Sequence, residues 1–99
     1  MEEHLKVEVH PVDGFTAVDA AGEIDLATAP ELRGALERTT GRVVVHLDEV
    51  TYLDSSGIAV LVAQQHRLAS DDGELVLQRP SPLVRKTLEL TGLGPWIDG

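Results

Sequence analysis

The hydrophobic and polar positions change period along the chain, and these changes predict strands and helices in alternation. From Leu5 to Val9 apolar and polar residues alternate, which is the period of a half-buried strand. Pro11 ends this segment, Asp13-Gly14 is a tight-turn signal, and a second apolar segment runs from Phe15 to Ala21. The two segments therefore predict a hairpin at the start of the chain.

The next part of the chain predicts a helix and then a buried strand. Thr28 and Glu31 have the spacing of a capping box, so we expect a helix to begin at Thr28, and Gly41 is its expected end. The β-branched run Val43–Leu47 predicts a central strand that is covered on both faces.

Two more helices and one more strand follow. A second helix is predicted from about Ser56 to Ser70, with a stripe facing the sheet made of Ile58, Leu61, Val62, Gln65, Leu68 and Ala69. Glu74 to Gln78 alternates like a strand. Ser81 and Pro82 then suit the cap and first turn of a third helix that stops at Gly92. A short strand or cap is expected around Trp96 and Ile97.

The order of these elements predicts a small α/β fold. Strands that alternate with helices imply parallel crossovers, so we expect a mixed, mostly parallel sheet of four to five strands with an N-terminal hairpin. About three to four helices pack against this sheet. The length of 99 residues predicts one domain that spans residues 1–99.

The charge of the chain excludes some classes of partner. Seventeen acidic and eight basic side chains give a formal net charge of −9, which argues against binding to nucleic acid or to an anionic membrane surface. The longest apolar run, Ile58 to Ala63, is far shorter than the ~20 residues that span a bilayer. We therefore expect a cytoplasmic protein with no direct membrane insertion.

Cofactor and metal chemistry are also not expected from the composition. The chain has no cysteine, and its histidines lie at scattered positions, His4, His10, His46 and His66. No phosphate-binding loop, dinucleotide fingerprint or Gly-x-Ser-x-Gly motif is present in the sequence. The prediction is a protein that is not an enzyme and has no catalytic residue, no cofactor and no metal.

The segment Asp54-Ser55-Ser56-Gly57 is the most informative motif, because it lies between a buried strand and an amphipathic helix. Asp and Ser are common helix caps, which accounts for the motif without any function. A hydroxyl on this turn is also accessible, and a phosphate there would meet the positive end of the helix dipole and free backbone amides. Phosphorylation would add about −1.5 to −2 charge beside Asp54 and would repel a docked partner.

Three segments together resemble the STAS domain of bacterial anti-sigma factor antagonists. The first is Gly22-Glu23-Ile24-Asp25 before a capped helix, and the second is the run from Leu53 to Leu61 that contains Asp-Ser-Ser-Gly. The third combines Ser81 to Arg85 with Thr91-Gly92-Leu93. The resemblance covers nearly the whole chain and implies a STAS-like fold.

This resemblance implies a phosphorylation switch. In the family, the unphosphorylated antagonist binds an anti-sigma factor that is itself a serine kinase, and a sigma factor is released. The kinase phosphorylates the antagonist and ends the binding, and a serine phosphatase restores it. By the resemblance, Ser55 is the phosphorylated residue, and the residues that bind the partner are Asp25, Asp54, Ser55, Ser56 and Gly57.

A second reading within the same fold stays open. A STAS subunit can serve a membrane lipid transporter or a larger signalling complex as an adaptor, without phosphorylation. The serine pair favours the antagonist and does not exclude the adaptor.

Overall fold

The computed structural model describes residues 5–99 and has the element order that the sequence predicts. The strands are β1 (Leu5–Val12), β2 (Phe15–Ile24), β3 (Arg42–Leu53) and β4 (Glu74–Gln78). The helices are α1 (Ala29–Leu36), α2 (Ser55–Ala69) and α3 (Pro82–Leu90), and a 3₁₀ turn (Gly94–Trp96) follows them.

The strands form one mixed sheet in the order β1-β2-β3-β4. β1 and β2 pair antiparallel as a hairpin, whereas β2 with β3 and β3 with β4 pair in parallel. Gly14 in the hairpin turn has a φ of 90°, a conformation that glycine adopts without strain. The predicted fold class is thus confirmed. Near the C-terminus, Ile97 forms an isolated parallel bridge with Leu77, at the place where a short strand or cap was expected.

The core is aliphatic and lies between the helices and one face of the sheet. Alternate residues of β3, Val43, Val45 and Leu47, are fully buried there with leucines and valines of all three helices. On the opposite face of β3, Val44 is buried but His46 is only half-buried. The expectation of a strand covered on both faces therefore holds only in part. The described helices all contribute buried apolar residues to one core cluster, which lies on one face of the sheet.

Helix α1 begins directly after its N-cap Thr28, as predicted, but the hydrogen bonds of the Thr28 side chain differ from the prediction. The Thr28 hydroxyl makes no capping bond to the helix, so the capping box with Glu31 is wrong. Instead the hydroxyl accepts from the Asp25 N–H at 2.9 Å and donates to the Glu23 carbonyl at 2.8 Å. The helix also ends at Leu36, five positions before Gly41, and Thr39 donates from its hydroxyl to the Leu36 carbonyl at 2.6 Å.

The buried side of α2 is rotated from the predicted stripe. Within the helix the buried residues are Gly57, Val60, Leu61, Gln64 and Leu68, while Ala69 is exposed. The rotation arises because α2 packs against α1 as well as against the sheet. Gln64 can be buried because its side-chain oxygen accepts from Arg67 Nε at 2.8 Å.

The last helix and the C-terminal segment follow the prediction. Ser81 Oγ accepts from the Val84 N–H at 3.3 Å, and Val84 and Leu88 face the core. Trp96 is partly buried against the core cluster. Among the helices within residues 5–99, none is both long enough and apolar enough to cross a bilayer.

Candidate functional site

Two segments far apart in the sequence meet at the carboxyl-terminal edge of the sheet. Parallel pairing places Ile24 of β2 opposite Leu53 of β3, and the Asp54 N–H donates to the Ile24 carbonyl at 3.1 Å. Helix α2 begins at the next residue, Ser55. The Gly22–Asp25 segment and the Asp54–Gly57 segment are therefore neighbours, which the sequence spacing alone does not show.

Asp54 is the N-cap of α2, as predicted. Its Oδ1 accepts from the Ser56 N–H at 2.9 Å and from the Gly57 N–H at 3.4 Å. Such a cap satisfies amides that the first helical turn leaves without a partner. The amides of Ser56 and Gly57 are therefore not among the free backbone amides that a phosphate on this turn was expected to meet, because the Asp54 carboxylate already occupies them.

Asp25 stabilises the neighbouring turn in a similar way. Its Oδ1 accepts from the N–H groups of Ala27 and Thr28, both at 3.0 Å, and lies 3.2 Å from the Thr28 hydroxyl. The turn continues into α1, since the Asp25 carbonyl accepts from the Ala29 N–H at 2.7 Å. Both acidic residues of the predicted site thus fix the backbone of the two turns that meet here.

Gly57 is required by packing. It is buried in the first turn of α2, and a Cβ at this position would lie 2.5 Å from Leu53 Cδ1 and 2.6 Å from Ile24 Cγ2. Its φ is not in the left-handed region, so the backbone conformation does not require a glycine here. The close approach of α2 to the ends of β2 and β3 is the physical reason for a glycine.

The two serines have different surroundings. Ser55 is exposed at the first position of α2, and within residues 5–99 its hydroxyl takes part in no hydrogen bond. Ser56 is half-buried and lines a groove between α1 and α2. Ser55 is therefore the more accessible of the two hydroxyls.

An apolar groove lies beside Ser56, and the sequence patterns did not predict it. It has a volume of about 220 Å³, and most of its lining is contributed by small or apolar side chains, namely Leu26, Ala29, Pro30, Ala59, Val60 and Ala63. Leu26 is 78% exposed and extends this apolar surface to the turn that follows Asp25. An apolar residue in a turn directly after Asp25 is the sequence signal that could have indicated this surface.

The histidines are less scattered in the structure than in the sequence. His10 Nε2 lies 3.3 Å from Asp19 Oδ2, and His46 Nδ1 lies 2.7 Å from Asp19 Oδ1. His66 is exposed on α2, and His4 lies outside the described residues. Strand pairing has thus brought together two of the four histidines on the sheet.

Comparisons with known proteins agree with the fold and with the family resemblance. A family model described as "Mlab, STAS domain" matches residues 12–97. The anti-sigma-B factor antagonist of Staphylococcus aureus is 33% identical over 94 residues, which are 91% of this chain and 87% of that protein.

Solved structures give the same relationship. An anti-sigma factor antagonist from Mycobacterium paratuberculosis superposes with a TM-score of 0.80 at 30% identity, over 92% of this chain and 80% of that chain. The anti-sigma factor antagonist SpoIIAA in its unphosphorylated form superposes with a TM-score of 0.82 at 24% identity, over 94% and 86%. The resemblance drawn from the sequence is confirmed, and the chain belongs to the STAS domain family.

Proposed function

We propose that this protein is an anti-sigma factor antagonist that works as a phosphorylation switch. With Ser55 unmodified it binds an anti-sigma factor that has serine kinase activity, and a sigma factor is released. Phosphorylation of Ser55 ends the binding, and a serine phosphatase restores it. The protein itself catalyses no reaction in this cycle.

The exposed Ser55 hydroxyl at the start of α2 is the observation that carries this proposal. A kinase needs an accessible hydroxyl, and Ser55 offers one that no hydrogen bond within residues 5–99 engages. The backbone on either side is held by the Asp54 cap and by the bond from the Asp54 N–H to the Ile24 carbonyl. A phosphate can therefore be added here without loss of a contact that stabilises the fold.

The surroundings of Ser55 also suit a protein partner. Leu26 and the apolar groove between α1 and α2 lie beside Ser56, the residue that follows the acceptor Ser55, so apolar area is next to the acceptor in the chain. Exposed apolar surface of this kind is typical of protein–protein contacts. The proposed binding residues Asp25, Asp54 and Gly57 act by shaping the two turns that present this surface.

Charge explains how the switch turns off. The phosphate brings about −1.5 to −2 charge to a position next to the Asp54 carboxylate. Because that carboxylate already accepts from the Ser56 and Gly57 amides, these two donors are not available to neutralise the phosphate. The added charge therefore faces the partner, where it opposes docking by repulsion and by its hydration.

The experiment is phosphorylation of the full chain by a candidate anti-sigma factor kinase with ATP, followed by mass spectrometry and a binding assay. We expect one phosphate, at Ser55. The variant Ser55→Ala should bind the kinase and stay bound in ATP. Ser55→Asp should bind more weakly by about tenfold or more, which corresponds to roughly 1.4 kcal/mol.

The matched control is Ser56→Ala, which removes the neighbouring hydroxyl. It should still be phosphorylated and released in the same assay. Phosphate on Ser56 instead of Ser55, or no modification by the kinase that binds the protein, would contradict the proposal.

An adaptor subunit of a lipid transporter or signalling complex is the second candidate. The matching family model is the observation that favours it, because its description, "Mlab, STAS domain", names no anti-sigma factor. In this case the same surface binds a partner permanently. Equal binding of wild type and Ser55→Asp to a transporter component, together with no phosphorylation, would favour the adaptor.

A further inference from the structure

Two carboxylate and two imidazole side chains form a cluster on the face of the sheet that is turned away from the helices. β1 contributes Glu8 and His10, β2 contributes Asp19, and β3 contributes His46. Asp19 lies between Val18 and Ala20, both of which belong to the core on the other face. This cluster is therefore separate from the serine site at the edge of the sheet.

The strand register creates an electrostatic problem in this cluster. Glu8 and Asp19 are direct partners in the antiparallel pair of β1 and β2. Like charges that face each other directly across two strands are destabilising. A cation held between the two carboxylates would remove this repulsion.

The ligand atoms have distances that suit a small tetrahedral ion. His10 Nε2 lies 3.3 Å from Asp19 Oδ2 and 3.6 Å from Glu8 Oε1. The ligand atoms of Glu8, His10 and Asp19 all lie within 4.8 Å of one another. In a tetrahedral zinc site with bonds of about 2.0–2.1 Å, neighbouring ligand atoms are about 3.3–3.4 Å apart. Small side-chain movements are enough to reach this geometry.

His46 supports the cluster from the other side. Its Nδ1 lies 2.7 Å from Asp19 Oδ1, which leaves Asp19 Oδ2 directed at His10. The His46 side chain is 22% exposed, against 49% for Asp19 and 50% for His10. Carboxylates that bind metals are commonly oriented by such an outer hydrogen bond.

The chemical types of the three ligand atoms determine which metal ions this site prefers. One imidazole nitrogen and two carboxylate oxygens suit zinc and related divalent transition metals, whereas magnesium and calcium prefer oxygen ligands alone. Three protein ligands leave a fourth position of a tetrahedral ion for water.

We propose that Glu8, His10 and Asp19 form a surface binding site for a divalent transition metal ion such as Zn²⁺, with His46 orienting Asp19. The ion links β1 to β2, and through His46 the site is connected to β3. The ligands come from two strands and the supporting histidine from a third, so spacing along the sequence does not indicate this site.

Isothermal titration calorimetry of the chelator-treated full chain with zinc chloride tests this proposal. We expect saturable binding of one ion and a rise in the thermal unfolding midpoint that EDTA reverses. His10→Ala and Glu8→Gln should each weaken the binding by about tenfold or more, and His46→Ala by about tenfold. Because these side chains are on the surface, circular dichroism should show that the variants remain folded.

The control variant is His66→Ala, at an exposed position on α2. It should bind Zn²⁺ as wild type does. The proposal is overturned by the absence of saturable binding in wild type, by wild-type affinity in His10→Ala or Glu8→Gln, or by calcium binding as tight as that of zinc.

Discussion

Gly57 and Gly34 both lie inside helices, but an added methyl group would meet different surroundings at each. At Gly57 the methyl group would overlap the buried side chains of Leu53 and Ile24. At Gly34, on the exposed side of α1, nothing lies within 4 Å. The same substitution therefore separates the effect of packing from the effect of helix propensity.

We predict opposite effects on stability for Gly57→Ala and Gly34→Ala. Gly57→Ala should lower the free energy of unfolding by about 1–3 kcal/mol, because the buried neighbours must shift. Gly34→Ala should raise it by about 0.5–1 kcal/mol, because alanine is the better helix former. Urea denaturation measures both changes. A neutral or stabilising effect at Gly57 would show that the contact with Ile24 and Leu53 is not tight.

Asp54 supports α2 through a hydrogen-bonding cap. Asp54→Ala should lower the free energy of unfolding by about 1 kcal/mol, because the Ser56 and Gly57 amides lose their acceptor. Asp54→Asn keeps an acceptor oxygen and should differ from wild type by only a few tenths of a kcal/mol, roughly. Urea denaturation checks both values, and an equal loss in the two variants would contradict the capping role.

At the scale of elements, Arg67 joins α2 to the end of α1. Its Nη2 donates to the carbonyls of Leu36 and Thr39 at 2.8 and 3.0 Å, and its Nε donates to the Gln64 side chain. Leu36 is the last residue of α1, and its carbonyl, which also accepts from the Thr39 N–H and hydroxyl, receives a charged donor from α2. This contact ties α2 to the C-terminal end of α1.

Removal of the Arg67 side chain should loosen this junction. Arg67→Ala should lower the free energy of unfolding by about 1–3 kcal/mol, because the part-buried carbonyls and Gln64 lose a charged donor. The control is Arg38→Ala, at an exposed position near the end of α1, which should change stability by no more than about 0.5 kcal/mol. Thermal or urea unfolding distinguishes the two, and equal effects would contradict the bridging role.

The elements also show where sequence patterns fail. The periodicity of apolar residues predicts helix α2. Which of its residues are buried depends on its packing against both α1 and the sheet. Gln64 is polar and yet buried, since Arg67 provides its hydrogen bond. Such a residue cannot be assigned to the core from hydropathy alone, because its partner comes from the folded arrangement.

At the scale of the whole molecule, the C-terminal segment belongs to the same core as the helices. Trp96 packs against the core cluster, and the Asp98 N–H donates to the Leu77 carbonyl of β4 at 2.7 Å. Trp96 is the only tryptophan of the chain, so its fluorescence reports on this segment specifically. Far-UV circular dichroism reports on the helices and the sheet.

We predict that the two signals change together on denaturation. Because one core cluster holds both the sheet and the C-terminal segment, unfolding in urea should follow a single transition with coincident midpoints. A change in Trp96 fluorescence at a lower urea concentration than the loss of circular dichroism would show that the C-terminal segment detaches separately.

Sequence patterns are enough to predict the element order, the hairpin and the caps at Asp54 and Ser81, and three matched segments carry the STAS resemblance. These features are local, since they depend on the period of apolar residues and on side chains within three positions of the backbone they bind.

Only the tertiary structure decided the features that depend on pairing between distant residues. The parallel register of β2 and β3 brings Asp25 near Asp54 and makes Gly57 necessary. Helix packing forms the groove beside Ser56, and the pairing of three strands collects His10, Asp19 and His46. Sequence separation carries no information about such contacts, because they are fixed by the register and the burial of the complete fold.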